Sequence, residues 1–274
     1  MIFKRQGFLA IFAALWTVLL CAAGQAAEHA MVHVAYVPPK EQGHMAIYES
    51  LREKRALERI ADQLASLQLP RRLTLKAEGC NGDINAWYDP DTTVVTICYE
   101  YLAYIQELAR DLSPTAVAEG LTPQNYVAGP FLEVVLHELA HAVFDLKKVP
   151  VLGREEDAAD QLASYMLLQL GEQEARRTIV SIAAMYASEA KEAPPKLKDF
   201  ANEHGVPAQR LYNLLCLSYG KNPKMFGDLV EKGYLPHERA ELCRDEYRQV
   251  QFAVTRLIAP ASKRMHKLAR LKLR

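Results

Sequence analysis

The stretch VLHELAHAVF, residues 135–144, decides how the rest of the chain is interpreted, because it contains the pentad HELAH. In a helix, His137 and His141 would lie one turn apart on one face, with Glu138 beside them. Two neutral imidazoles at this separation can bind one Zn²⁺ from the same side, and the carboxylate can reach a water on the metal. The alternative is a buried amphipathic helix that happens to carry two histidines.

A group of acidic residues downstream favours the metal interpretation. A helix is predicted to begin with EEDAAD at Glu155, and catalytic zinc needs a third protein ligand beside an open fourth position. Glu156 and Asp160 share a helix face, so Glu156 can bind metal while Asp160 accepts the other ring N–H of a ligating histidine. Glu155 lies on a neighbouring face and is the second choice as ligand. The helix dipole also favours acidic residues in a first turn, which is the structural alternative.

The remaining periodicity predicts a mixed sheet and many helices. Strands are expected at 31–37, 73–77, 85–88 and 94–98, and helices at 44–69 and 99–112. A loop is predicted over 113–129, and the HELAH helix is expected from Pro130 to about Lys147, with the proline in its first turn. Further helices are expected from 155, over 175–192, and at 207–219, 223–232 and 236–258.

The N-terminus predicts export. Lys4 and Arg5 precede an apolar run over 7–23 and small residues around 24–26, which is the pattern of a cleaved secretory signal peptide. A periplasmic or secreted protein is therefore expected. An uncleaved membrane anchor ranks second and a lipoprotein at Cys21 third.

The cysteine count and the net charge further restrict the classes of protein to which the chain could belong. The sequence has five cysteines, and cleavage of the signal peptide would remove Cys21 and leave four. An even number in an exported chain is expected to form disulfides, and three pairings are possible, of which the near-neighbour one is Cys80–Cys98 with Cys216–Cys243. Lys and Arg number 33, as do Asp and Glu, so nothing indicates nucleic-acid binding. The basic tail over 263–274 could contact anionic lipid or another chain, although a solvated helix end is the commoner explanation. The oligomeric state does not follow from the sequence.

The residues after His141 separate the classes of zinc hydrolase. Phe144 and Lys147 occupy the positions where metzincins carry Gly and His, which excludes that class. A carboxylate on the next helix, with a second one turn later, resembles the gluzincin arrangement of thermolysin-like enzymes, with a shorter connection. NAWY at 85–88 resembles the edge strand by which those enzymes hold substrate backbone, which implies substrate binding by Asn85, Ala86 and Trp87. A plain edge hairpin is the structural alternative.

Most of the chain resembles a bacterial family named domain of unknown function 4344, whose peptidase activity is itself inferred from its motif. The resemblance is carried by NAWYDP and ICYE with Cys80 and Cys98, by LHELAHAVFD, by REEDAADQLA, and by RLYNLLCLSYGKNP before LPHERAELC. It implies an α+β, zincin-like fold, in which a small mixed sheet with an edge hairpin packs on the HELAH helix and a mainly helical C-terminal lobe follows. The expected division is a signal peptide at 1–26, a metallopeptidase domain at 27–192, the helical lobe at 193–262 and the basic tail at 263–274.

This resemblance implies hydrolysis of a peptide or protein substrate, with one Zn²⁺ per chain held by His137, His141 and Glu156. Glu138 would act as general base toward the zinc-bound water, and Asp160 would orient a histidine, with His137 preferred. A donor for the developing oxyanion is also needed. Its candidates lie in the C-terminal lobe, with Tyr212 ahead of Tyr219, His237 and Arg239. Two rival functions are a non-catalytic exported binding or scaffold protein that contains zinc, and a zinc amidase acting on a cell-wall substrate.

Overall fold

The structure, a computed structural model, describes residues 31–64, 67–192 and 195–258. The predicted signal peptide at 1–26 and the basic tail at 263–274 lie outside the described residues. Both therefore stay predictions, as does the division of the chain at residue 193.

Four strands form a mixed sheet within the described residues. They are β1 (Val32–Tyr36), β2 (Leu73–Glu78), β3 (Ala86–Asp89) and β4 (Val94–Cys98). The order is β1-β2-β4-β3, with β1, β2 and β4 parallel and β3 antiparallel to β4. Residues alternate between buried and half-buried along β2, so one face of the sheet covers the core. The predicted small mixed sheet with an edge hairpin is confirmed, and β3 is an edge strand.

The crossover from β1 to β2 contains two helices where the periodicity predicts one. Helix α1 (Met45–Glu53) and helix α2 (Ala56–Leu64) are separated at Arg55, whose φ is 50°. The Tyr36 hydroxyl fixes the start of α2, because it accepts the N–H of Leu57 at 3.0 Å and donates to Glu58 at 2.7 Å. The buried residues of both helices, among them Leu51 and Leu57, belong to the same core as the sheet. Helical periodicity alone does not register such a bend.

The HELAH helix is longer than predicted. Helix α5 runs over Pro123–Lys147, following helix α3 (Tyr99–Leu108) and the short helix α4 (Pro114–Ala118). The prediction of a loop over 113–129 is therefore wrong. The Thr122 hydroxyl accepts the N–H of Asn125, whose side chain accepts the N–H of Thr122. Thr122 is therefore the N-cap residue, and the helix begins at Pro123.

Pro130 lies inside α5 because a distant residue satisfies the carbonyl that the proline leaves free. A proline in a helix cannot donate to the carbonyl four residues earlier, here that of Tyr126. The hydroxyl of Ser181, on helix α7 (Glu172–Glu192), donates to this buried carbonyl at 2.6 Å. The helix therefore continues through the proline, with α7 packed closely beside it.

Gly129 permits this close approach of α5 and α7. A Cβ at this position would lie 2.5 Å from the Ser181 hydroxyl oxygen and 3.0 Å from the Thr178 carbonyl oxygen. Gly129→Ala is expected to destabilise the protein by about 1–3 kcal/mol through overpacking. Thermal unfolding would measure this, with Gly43→Ala as the control, since a Cβ there has no neighbour within 4 Å. Equal melting temperatures for both variants would contradict this account of the packing.

The remaining described residues are mainly helical. They are α6 (Glu155–Leu167), α7, α8 (Pro207–Lys221), α9 (Pro223–Phe226), α10 (Asp228–Glu231) and α11 (His237–Ala253), and a π-helical turn at Val254–Ile258 follows. Helices α8 and α11 lie so close that a Cβ on Gly220 would meet the Cys243 carbonyl at 2.1 Å. Disulfides join Cys80 to Cys98 and Cys216 to Cys243, the near-neighbour pairing.

One continuous core joins the sheet, α5 and the C-terminal helices. Among the described helices, α5 alone has the length and apolarity of a membrane span, but 78% of its most apolar window is buried inside the protein. Burial of this extent is typical of a core helix.

Candidate metal centre

The two histidines of the HELAH pentad face each other at the centre of α5. Their Nε2 atoms lie 3.3 Å apart, and their ring centroids are 5.0 Å apart. His137 is almost fully buried, whereas 12% of the His141 side chain is exposed. The one-turn spacing thus brings both imidazoles to one point at the edge of the core.

Glu156, in the first turn of α6, completes a group of three ligand atoms. Its Oε2 lies 2.9 Å from Nε2 of His137 and 3.2 Å from Nε2 of His141. Atoms that each lie about 2.0–2.1 Å from a tetrahedral zinc ion are about 3.3 Å apart. The spacing of the three atoms therefore fits a common metal ion.

The other nitrogen of each imidazole faces a carboxylate on α6. Nδ1 of His137 lies 2.8 Å from Oδ1 of Asp160, and Nδ1 of His141 lies 2.8 Å from Oε1 of Glu155. In neutral histidines these contacts place the proton on Nδ1, so that both Nε2 atoms present lone pairs. Glu155, the second-choice ligand, lies on the outer side of His141, while Glu156 lies between the two imidazoles.

Two imidazole lone pairs and a carboxylate oxygen that converge in this way repel one another unless a positive charge lies among them. In the metal-free protein, protons supply that charge. Burial would lower the pKa of His137, but hydrogen bonds to Asp160 and Glu156 outweigh burial and raise this pKa to about 10. Burial would likewise raise the pKa of Glu156, but hydrogen bonds from the histidines hold it well below its usual range. The residues present therefore fit a divalent cation.

Glu138 has the environment of a proton acceptor. Its side chain is 8% exposed, and burial raises the pKa of its carboxyl, opposed by the nearby charges of His137 and His141. A carboxylate with a raised pKa takes a proton more readily at neutral pH than an ordinary glutamate does.

His204 is a further member of the cluster formed by His137, His141 and Glu156, and no prediction from the sequence includes it. It lies between a 3-10 turn (Leu197–Ala201) and α8. Its Nε2 is 2.8 Å from Oε2 of Glu156, and its ring stacks on His137 with centroids 5.5 Å apart. Ligand atoms of His137, Glu156 and His204 all lie within 4.8 Å of one another. No motif surrounds His204 in the sequence, so only the fold reveals its position.

The edge strand β3 is fixed to the HELAH helix. The Tyr88 hydroxyl donates to Oδ2 of Asp145 at 2.7 Å, and Asp145 lies one turn beyond His141 on α5. The Asn85 carbonyl accepts the N–H of Cys98 at 3.2 Å, so the backbone groups of Ala86 point to the open edge of the sheet. There the Asn85 side chain accepts the N–H of Ala86 at 2.9 Å.

The remaining predicted site residues are placed as follows. The side chain of Trp87 is 37% exposed on β3. Tyr212, on α8, is exposed and lines a groove with Arg154, Asp157 and Arg239. His237 pairs with Glu241 at 3.6 Å on the surface, and Tyr219 packs against the core. From the C-terminal part of the chain it is His204 that joins His137 and His141 at Glu156, and the role of Tyr212 stays a prediction.

Comparison with known proteins gives one match. A family model for domain of unknown function 4344, described as "Putative metallopeptidase", matches residues 36–258. The match covers more than half of the chain and includes every residue of the cluster. No curated protein and no solved structure matches the chain.

Proposed function

Because the chain belongs to this metallopeptidase family, we propose that it is a zinc peptidase in which His137, His141 and Glu156 hold the ion. The observation that carries the proposal is the convergence of their three ligand atoms at separations of 2.9, 3.2 and 3.3 Å. Two imidazoles and one carboxylate form a ligand set typical of catalytic zinc. A zinc ion bound there would lower the pKa of a coordinated water and polarise the substrate carbonyl.

The protein's own groups move the proton and hold the site in place. Glu138 takes the proton from the attacking water and delivers it to the leaving amine. Asp160 accepts the Nδ1–H of His137, which keeps the Nε2 lone pair directed at the metal position.

The substrate we propose is an extended peptide bound along β3. The outward backbone groups of Ala86 would pair with the peptide as a further strand, once Asn85 releases the Ala86 N–H. The Tyr88–Asp145 hydrogen bond joins this edge strand to α5, one turn from His141, which supports the proposal. A cell-wall amide would not use the strand edge in this way, and activity on cell-wall fragments alone would favour the amidase alternative.

We also propose that the protein acts in the periplasm or after secretion. The signal-peptide pattern at 1–26 supports this location, and so do two disulfides, which persist in oxidising compartments.

In this proposal His204 is the hydrogen-bond donor to the oxyanion. The same residue is also the basis of a second candidate function. With 45% of its side chain exposed and its Nε2 beside Glu156, it can donate to the oxyanion that develops during hydrolysis. If His204 instead bound zinc as a fourth ligand, it would close the site. That arrangement would suit a non-catalytic protein with structural zinc.

Substitution of His204 tests the function. In the peptidase, His204→Ala should retain its zinc while cleavage of an unstructured protein falls by about 10²–10³-fold, the usual effect of losing one oxyanion donor. The matched control is His237→Ala, because His237 is exposed and pairs only weakly with Glu241. Zinc content and cleavage would be measured on the same preparations. Loss of zinc in His204→Ala, together with a parent that cleaves nothing, would favour the closed site.

A further inference from the structure

An arginine from the C-terminal helices binds the carboxylate that orients His137. Nε of Arg210 donates to Oδ2 of Asp160 at 2.8 Å, and Nη2 donates to Oδ1 at 2.6 Å. The same Oδ1 lies 2.8 Å from Nδ1 of His137. One carboxylate therefore joins a candidate metal ligand on α5 to a guanidinium on α8, and both of its oxygens are held in a fixed plane.

The guanidinium has a second buried partner. Glu133 lies one turn before His137 on α5 and is 5% exposed. Its Oε1 accepts from Nη2 of Arg210 at 3.1 Å and from the Tyr186 hydroxyl at 2.7 Å. The Arg210 guanidinium also lies over the Tyr186 ring, 4.8 Å from its centroid. Helices α5, α6, α7 and α8 thus meet in one hydrogen-bonded network behind the histidine pair.

Charge explains why this network matters for the histidine. Asp160 and Glu133 are two buried carboxylates that share one guanidinium. Without the arginine, the two carboxylates would face each other in the core with no paired cation, and the two hydrogen bonds that fix the plane of Asp160 would be lost. A rotated Asp160 carboxylate would hold the imidazole of His137 less firmly, and the Nε2 of His137 would no longer be aimed at one point.

We propose that Arg210 is a positioning residue for the metal centre: its bidentate bond fixes the Asp160 carboxylate, which in turn orients His137, so that helix α8 contributes to metal affinity. This inference rests on the proposed function. It assigns to the C-terminal helices a part in holding the metal, in addition to covering the core.

A purely structural role for Arg210 has a matched comparison in the same chain. Arg176 makes a bidentate bond to Asp228 at 2.7 and 2.6 Å, contacts a second carboxylate on Glu119 at 3.4 Å, and lies over the Phe226 ring at 5.4 Å. This network resembles that of Arg210 but contains no histidine. Arg176→Met therefore reproduces the loss of a half-buried arginine network without altering the histidine site.

The test measures zinc affinity of the full chain by competition with a chromophoric chelator, which requires no activity. Arg210→Met is expected to weaken zinc binding by about 10–100-fold, the usual cost of losing an outer partner of a metal ligand. Arg210→Lys keeps the charge but loses the paired bond, so it should recover part of the affinity. Arg176→Met should keep the affinity of the parent while lowering its melting temperature. The visible spectrum of bound Co²⁺ should change in Arg210→Met and stay constant in Arg176→Met.

Each outcome bears on the inference. Unchanged zinc affinity in Arg210→Met, or equal weakening in Arg176→Met, would overturn it while leaving the proposed function intact. If Arg210→Met does not fold, Arg210→Lys decides, and unchanged affinity in that variant would overturn the inference. A parent chain that binds no zinc would overturn the proposed function and this inference together.

Discussion

Replacing Glu138 by glutamine is expected to lower kcat/KM for an unstructured protein substrate by about 10²–10⁴-fold, because an amide cannot take the proton of the attacking water. Glutamine has nearly the same shape as glutamate, so zinc should remain bound. The parent and Glu138→Gln would be compared for cleavage rate and zinc content on the same preparations.

The stability of Glu138→Gln gives an independent check. Burial raises the pKa of Glu138 above its ordinary value, so the ionised carboxylate costs stability at neutral pH. The amide removes this cost, and the metal-free variant should melt no lower than the metal-free parent. Glu241→Gln is the control, since Glu241 is exposed on α11. Cleavage by Glu138→Gln at the rate of the parent would rule out Glu138 as the general base.

Replacing Glu156 by glutamine is expected to remove the stabilisation that zinc provides. A site filled by ligand at about 1,000 times its Kd stabilises the folded state by about 4 kcal/mol. The parent should therefore melt at a higher temperature with zinc than with a chelator, and the variant should melt at the same temperature in both. A zinc-dependent rise in Glu156→Gln equal to that of the parent would exclude Glu156 as a ligand.

The metal-free protein should show a matching pH dependence. Hydrogen bonds from the imidazoles outweigh burial and lower the pKa of Glu156, so its contribution to stability is present above its ordinary pKa and is lost as the pH falls. The pKa of His137 is raised to about 10, so its contribution is complete below its ordinary pKa and is lost as the pH rises toward 10. Thermal unfolding would be measured with chelator present. Glu156→Gln should lose the most stability relative to the parent at pH values above the ordinary pKa of glutamate and below the ordinary pKa of histidine. A pH-independent difference from the parent would contradict the ion pairing.

Local spacing predicted the parts of the site that lie on single helices. His137 and His141 share a face because they are one turn apart, and Glu156 and Asp160 do so for the same reason. The structure brings these four side chains together, with Asp160 Oδ1 at 2.8 Å from Nδ1 of His137, while their roles stay predictions. Near-neighbour pairing of cysteines also matches the structure, because each pair closes a short loop.

Residues that reach the site by tertiary packing could not be predicted in this way. Arg210 follows its partner Asp160 on α6 by 50 residues, and His204 follows its partner Glu156 by a similar distance. No local sequence pattern links either residue to α6. The start of α5 differs from the prediction for a related reason. Pro130 indicates a helix start when only its neighbours are considered, whereas Ser181 on a distant helix allows it inside one.

Zinc analysis of the purified protein after loading with excess zinc and dialysis tests the central claim most directly. The account predicts one zinc ion per chain in the parent and in Glu138→Gln, with cleavage of an unstructured protein by the parent only. A parent chain that retains no zinc would contradict the assignment of the metal centre, and with it the proposed function.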